Sequence, residues 1–346
     1  MIFWTLVLAR RGMSFDRLNG ATSFAFSAAS RRLDRSQRAR NSHHRGLCGH
    51  EQSPREARHI ECRNDRRGTV SELISIIVAT YNREDALDAV LRALAAQTDS
   101  RFEVIVADDG SGPATARVVK SWVSNFRHLI HVRHEDRGFR LAEIRNRAIL
   151  GSTGDICVFL DGDCLARPDF VATHRRLAQA GWFVAGNRVL LSRDFTDRIL
   201  RDRLVPENWG LRVWMMARSR GEINRLAPLL RLPVGPLRHL GRENWRNARG
   251  GNLAIRREDL IRVDGFDGAY SGWGREDSDI VMRLMRAGIG RKDGRFATGV
   301  LHLWHPENDR YRLADNERLL SELMHSDRIK SLVGLSAITP RQTDAP

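Results

Sequence analysis

Asp161-Gly162-Asp163 sets two carboxylates one residue apart at the end of an apolar run, residues 156–160. Alternate residues of a strand share a face, so a strand continuing through this point would aim both carboxylates to one side. Hard divalent ions such as Mg²⁺ or Mn²⁺ take oxygen ligands of this kind together with substrate phosphates. Asp-x-Asp alone is a weak signal, because solvated turns carry it too. It gains weight from a second acidic pair, Asp108-Asp109, which follows another apolar run at residues 102–107. Further on, Glu276, Asp277 and Asp279 crowd into one short segment, and His302-x-x-His305 spans the end of the short run 300–303.

Those side chains need a frame. Residues 73–80 are apolar and β-branched, which predicts a buried strand. Ala86, Leu87, Val90, Leu91 and Leu94 recur at helical spacing within 85–97. A strand over 102–107 is followed by the loop Asp108-Asp109-Gly110-Ser111-Gly112-Pro113, a helix over 114–126 and a strand over 130–133. A helix over 142–151 leads to the strand 156–160. This alternation predicts an α/β fold, a Rossmann-like, mostly parallel sheet with helices on both faces and ligands at the carboxyl ends of its strands. Both early acidic loops follow strands and so belong to that binding edge. Order loosens after Asp169 and returns at the glycine pair Gly250-Gly251, with a strand at 252–255, helices at 257–263 and 278–287, and a last strand at 300–303.

Composition bounds the rest. An apolar share of 42% supports a sizeable core, and the net charge of +15 raises the question of an anionic partner. The charge is localised: residues 1–69 carry 14 arginines against 6 acids, residues 196–249 carry 12 against 5, and the remainder is neutral. Only Lys120, Lys292 and Lys330 are lysines, a skew that points to codon composition. The chemistry lies in the neutral parts, and no nucleic-acid module is visible, so a nucleic-acid-binding role is set aside. Cys48, Cys62, Cys157 and Cys164 form no zinc or C-x-x-C spacing and read as reduced thiols of a cytoplasmic protein. Met1–Ala9 is apolar but too short to span a membrane, and it lacks a basic residue ahead of it. Residues 10–69 show no periodicity. The expected organisation is a tail or mis-assigned start over 1–69, with order beginning near Val70, or alternatively a basic arm. There follow a donor-binding half over 70–174, a variable Arg/Trp-rich insert over 175–248, a catalytic half over 249–310 and a helical tail over 311–346.

Ser75-Ile-Ile-Val-Ala-Thr-Tyr-Asn-Arg83, Val106-Ala-Asp-Asp-Gly-Ser111 and Phe159-Leu-Asp-Gly-Asp163 together resemble family 2 glycosyltransferases of the GT-A fold. Gly250-Gly-Asn-Leu-Ala-Ile-Arg-Arg-Glu258, Gly265-Phe-Asp267 and Gly272-Trp-Gly-Arg-Glu-Asp-Ser-Asp279 are similar to the C-terminal catalytic region of β-1,4-galactosyltransferases. The resemblance covers residues 72–310 apart from 175–248. It implies a nucleotide-sugar donor, UDP-linked above all, a glycan acceptor, and Mn²⁺ or Mg²⁺ as cofactor. It further implies that Tyr81 stacks on the base and Asp109 accepts from the base's ring N–H. Asp163 and His305 would hold the metal, with His302 as a further ligand and Asp161 near the donor ribose or sugar. Arg140 and Arg145 would contact the diphosphate. Gly272, Trp273 and Gly274 resemble a hinged acceptor loop in which Trp273 faces a sugar ring, Glu276 holds acceptor hydroxyls and Asp277 is the general base. Arg275 departs from the pattern, which has glycine there. Asp279 is expected to cap the helix that follows.

One base without a covalent partner predicts direct displacement with inversion. A nucleotidyltransferase would share the metal and phosphate needs but not the 273–277 loop. The arginines of 196–249 are interleaved with Trp209, Trp214, Met215, Met216, Leu226, Leu229, Leu230 and Leu232. That pattern suits a peripheral position on an anionic cytoplasmic membrane face, with a lipid-linked or lipopolysaccharide-type acceptor.

Overall fold

The computed structural model describes residues 72–338 except Arg249. The expectations for residues 1–69, for a start near Val70 and for Cys48 and Cys62 lie outside the described residues. β1 (Ile74–Thr80), α1 (Glu84–Ala95), β2 (Phe102–Asp108), α2 (Pro113–Trp122), β3 (Leu129–Arg133), α3 (Leu141–Gly151) and β4 (Ile156–Asp161) alternate as their apolar periodicity dictates. β5 (Cys164–Leu165), α4 (Phe170–Leu177), β6 (Trp182–Ala185), β7 (Arg188–Leu190), α5 (Arg193–Arg201) and α6 (Leu211–Ser219) follow. The chain continues through β8 (Asn252–Arg256), α7 (Arg257–Arg262), α8 (Glu276–Arg286), β9 (Gly290–Asp293), β10 (Val300–His302) and α9 (Leu313–Met324).

The main sheet has the order β3-β2-β1-β4-β8-β6-β9. β1, β2, β3 and β4 are parallel, as are β6 and β9, while β8 runs antiparallel to both β4 and β6. Side-chain alternation divides the core. Ile74, Ile76, Val78, Val158 and Leu160 join α1, α5 and α6 in one apolar cluster, and Ile77, Cys157 and Phe159 join α3 and α8 in the other. The sheet is therefore covered on both faces, which is why its strands read as unbroken apolar runs.

A second sheet, β5-β10-β7, lies beyond the carboxyl end of β4. β6 and β7 come from within 175–248, so that stretch contributes a strand to each sheet. β9, Gly-Arg-Lys-Asp, carries no apolar residue and is held by its register with β6, from Trp182↔Gly290 to Ala185↔Asp293. Trp214 is buried against Trp209 and Phe195, so part of the Arg/Trp stretch is core.

One expectation is corrected by the start of α8. The helix begins at Glu276, so Asp279 lies inside it and is not its cap. Asp279 is fully buried and accepts from Arg283 Nε at 2.6 Å, while Arg283 also donates to the carbonyls of Val263 and Gly265. Within 312–338, Leu335 enters the second core and Asp267 accepts from the amides of Leu332 and Val333.

Candidate active site

Gly162 turns the chain immediately after β4, donating its amide to Ala79 O at 2.7 Å. Asp163 is therefore in a turn, and the expectation that strand alternation aligns the two carboxylates is corrected: each faces its own set of partners. Asp163 Oδ1 is 3.6 Å from His302 Nε2, and its Oδ2 is 3.4 Å from His305 Nε2. These spacings are longer than good hydrogen bonds and close to the roughly 3 Å ligand separation around an ion with bonds of roughly 2.1 Å. His305 Nδ1 donates to the Pro306 carbonyl at 2.6 Å, which leaves the Nε2 lone pair of the neutral ring facing Asp163. Burial lowers the His302 pKa and so favours the neutral, ligating form. Burial, reinforced by the Asp163 and Asp161 carboxylates, raises the Cys164 thiol well above its usual value, so it stands beside this group as a neutral thiol. The residues present fit a divalent cation held by one carboxylate oxygen and imidazole nitrogens.

Asp161 has different direct partners. α3 delivers Arg145, 1% exposed, whose guanidinium donates to Asp161 Oδ1 at 3.2 Å and to Asp277 Oδ1 at 2.9 Å and lies 3.6 Å from Glu276 Oε1. One buried cation thus ties the end of β4 to the first turn of α8. The Gly250 amide donates to Asp277 Oδ2 at 2.7 Å. The glycine pair makes this approach possible: a Cβ at Gly250 would sit 2.1 Å from Asp277 Oδ1, and one at Gly251 2.1 Å from Asp161 Oδ2. Burial and the neighbouring Asp277 carboxylate push the Glu276 carboxyl up to about 8, against the opposing pull of Arg145. Of the adjacent pair, Glu276 is the proton holder at neutral pH and Asp277 is the more open to solvent. The guanidinium expected to face a diphosphate is here enclosed by carboxylates.

Next to β4 on the same sheet edge, Tyr81 is 46% exposed just past β1, and its hydroxyl donates to Asp136 at 3.0 Å. Asp109 is buried with both oxygens engaged, one by His134 Nε2 at 2.5 Å and the other by the Arg140 amide at 2.9 Å. A nucleobase N–H would have to use a remaining lone pair of that carboxylate. The Arg140 guanidinium donates to Glu143 at 2.8 Å and to the Glu135 carbonyl. Sequence reasoning missed His134 and Asp136, although His134-Glu135-Asp136 directly follows the strand at 130–133.

The loop before α8 passes Gly272 (φ +71°) and Gly274 (φ +107°). Arg275 also adopts a left-handed conformation, φ 79°, where glycine carries no Cβ penalty. Its guanidinium pairs with Glu317 at 2.6 Å, which anchors the loop to α9. Asn316, almost fully buried and unnoticed in the sequence, donates to the carbonyls of Ser271 at 3.1 Å and Gly274 at 2.9 Å. Arg310 stacks over Trp273 at 5.1 Å from the ring centre. The loop expected to hinge is thus pinned by the segment 310–317.

Comparisons with known proteins agree with this architecture. The pattern described as "Glycosyl transferase family 2" matches residues 75–260, and "N-terminal domain of galactosyltransferase" matches 239–305. Validoxylamine A glucosyltransferase of Streptomyces hygroscopicus subsp. limoneus is 31% identical over 240 residues, covering 66% of this chain and 51% of that protein. Chondroitin synthase of Escherichia coli is 28% identical over 239 residues, 64% of this chain and 34% of the relative. The chain thus spans about half the length of the glucosyltransferase it matches. Among solved structures, the mannosyltransferase PcManGT from Pyrobaculum calidifontis, in complex with GDP-Man and Mn²⁺, has a TM-score of 0.50 at 19% identity, covering 75% of this chain and 66% of its own. S. aureus TarS 1–349 in complex with UDP has a TM-score of 0.50 at 17% identity, covering 74% and 66%. The fold is that of these GT-A enzymes, and the chain belongs to glycosyl transferase family 2.

Proposed function

We propose that this protein transfers a hexosyl or N-acetylhexosaminyl group from a nucleotide diphosphate sugar, UDP-linked, to a glycan hydroxyl with inversion. The observation that carries the reading is the Arg145 bridge, which brings Asp161 of the donor half and Asp277 of the acceptor half onto one guanidinium. Asp163 and His305, with His302 beside them, would hold the divalent ion; when bound, it supplies positive charge for the departing diphosphate. Two imidazole nitrogens in the donor set favour Mn²⁺ over Mg²⁺, which prefers oxygen ligands. Asp277 takes the proton of the acceptor hydroxyl as that oxygen attacks the anomeric carbon, a contribution of roughly 10²–10⁴ in rate. Glu276, protonated at neutral pH, donates to an acceptor oxygen. The structural neighbours in complex with GDP-Man and Mn²⁺ and with UDP support a nucleotide-linked donor. The test is nucleotide release across a panel of nucleotide sugars, in Mn²⁺ and in EDTA, with the product's anomeric configuration read by NMR. Inversion with one donor and loss of activity in EDTA are expected; retention, or full activity in EDTA, overturns the reading.

α6 favours a further element of this reading, a peripheral position on an anionic cytoplasmic membrane face with a lipid-linked or lipopolysaccharide-type acceptor. Its Trp214 and Ala217 are buried, whereas Leu211, Met215 and Met216 are 49%, 55% and 49% exposed beside the exposed Arg212, Arg218 and Arg220. Apolar side chains among arginines match the boundary of an anionic bilayer, where each basic residue contributes about 1 kcal/mol. Among the described residues no helix is long and apolar enough to cross a membrane. Flotation with anionic liposomes, and loss of flotation on Met215→Ser with Met216→Ser, is expected; flotation with neither anionic nor neutral liposomes at low salt removes the membrane element.

A further inference from the structure

The arginines expected at the diphosphate are engaged elsewhere, Arg145 by three carboxylates and Arg140 by Glu143 and a carbonyl. A third arginine, Arg188, approaches the other oxygen of Asp161. In the small sheet β10 pairs with β7 so that Arg188 lies opposite Val300 and Leu190 opposite His302, while β5 sets Cys164 opposite His302. Paired residues share a face, so Arg188, Leu190 and His302 project together. The alternate residues Val189, Leu301 and Leu165 are fully buried in the first core cluster, and so are Val300 and Cys164 on the face of Arg188, which is therefore open only at its β7 edge. That face meets the site: Leu190 is 41% exposed, His302 faces Asp163 at 3.6 Å, and Arg188 Nη1 approaches Asp161 Oδ2 at 3.7 Å.

Arg188 has the properties of a group kept for a ligand. Its side chain is 36% exposed, and among the described residues its guanidinium makes no hydrogen bond, only that loose ion pair. Arg225 donates to its backbone carbonyl at 2.9 Å, steadying the strand while leaving the side chain free. The surrounding corner carries the carboxylates Asp161, Asp163 and Asp277, of which Arg145 pairs with Asp161 and Asp277, an acidic setting that disfavours an unpaired diphosphate. A planar guanidinium with unused N–H groups matches phosphate oxygens in bidentate fashion, which an ammonium cannot do.

We propose that Arg188 is the residue that binds the diphosphate of the donor, holding it beside Asp161. This rests on the glycosyl-transfer reading. In the reaction, the bond from the acceptor oxygen to the anomeric carbon forms as the bond from that carbon to the terminal phosphate oxygen breaks. The electron pair leaves on that phosphate oxygen, which the Arg188 N–H groups stabilise, and the hydroxyl proton goes to Asp277. The sequence carried no signal for this role, since Arg188 is one of many arginines in its region.

Calorimetric titration of the full chain with UDP and with uridine, and with GDP and guanosine alongside, tests the assignment in wild type, Arg188→Gln and Arg188→Lys. The expected result is a loss of about tenfold or more in diphosphate affinity for Arg188→Gln, as for one charge-assisted contact. Nucleoside affinity should be unchanged, and Arg188→Lys should recover part of the loss. Unchanged diphosphate affinity in Arg188→Gln overturns the role of Arg188 while leaving the donor reading intact, and equal losses for nucleoside and diphosphate overturn it as a mere disturbance of the site. A wild-type protein that does not distinguish diphosphate from nucleoside overturns both.

Discussion

Replacing Gly251 with alanine isolates the steric basis of the site. The Gly251 backbone lies outside the left-handed region, so alanine adds bulk without backbone strain. The new Cβ would meet Asp161 Oδ2 at 2.1 Å and its Cγ at 2.7 Å, whereas ordinary contact begins at 3.4 Å. The Asp161 carboxylate must therefore retreat by about 1.3 Å, enough to part it from Arg145, now 3.2 Å away. A misplacement of roughly 1 Å at a reacting centre costs about 10² in rate, or about 2.7 kcal/mol of transition-state stabilisation. Gly251→Ala should lower kcat/KM about a hundredfold and weaken nucleoside diphosphate binding, if Asp161 serves the donor side as proposed. Gly250→Ala instead displaces Asp277 and also presses on the Arg145 guanidinium, and should lower kcat more than it weakens binding. Steady-state nucleotide release and calorimetry separate the two, with thermal melts confirming folded protein. A folded Gly251→Ala variant with wild-type kcat and affinity would refute the claim that close backbone approach sets the site.

Other substitutions probe other levels of the structure. The folded-state pKa of Glu276 is raised to about 8 from an ordinary 4.5, so the native state holds a proton that the unfolded chain releases. Stability should therefore fall as pH rises from about 4.5 to about 8, and Glu276→Gln should remove that slope in urea unfolding measured across the window. Asp279→Ala leaves the buried Arg283 guanidinium without its carboxylate and should cost about 3–5 kcal/mol, read as a lowered Tm with little effect on nucleotide affinity in the remaining folded protein. Asp163→Ala should abolish the effect of Mn²⁺ on nucleotide binding, whereas an unchanged Mn²⁺ dependence would move the metal elsewhere.

The parallel half of the sheet was legible because its strands are buried on both faces and therefore continuously apolar, as Ile156 to Leu160 shows. β9 was not, because Gly-Arg-Lys-Asp owes its strand form to pairing with β6. Asp161 and Asp163 could be picked out by type and position, but their separate partners depend on the turn at Gly162 and Asp163 that the Asp-x-Asp spacing does not encode. The union of Asp161 with Asp277 was hidden for a related reason. It is made by Arg145, 132 residues before Asp277, and by two glycines whose role is to be small. Asn316 and Arg188 carried no local pattern, since their importance comes from the loop one supports and the sheet face the other shares.

The most direct test of the account is the single-turnover rate of Asp277→Asn with the active nucleotide sugar and a competent acceptor. Asparagine keeps the size of the side chain and can still accept from the Gly250 amide, but it cannot take the hydroxyl proton. Proposed as the base, Asp277 should contribute roughly 10² or more, so the transfer rate should fall by that factor while nucleoside diphosphate affinity in Mn²⁺ stays near wild type. Transfer at the wild-type rate would contradict the assignment of the base, and with it the proposed mechanism.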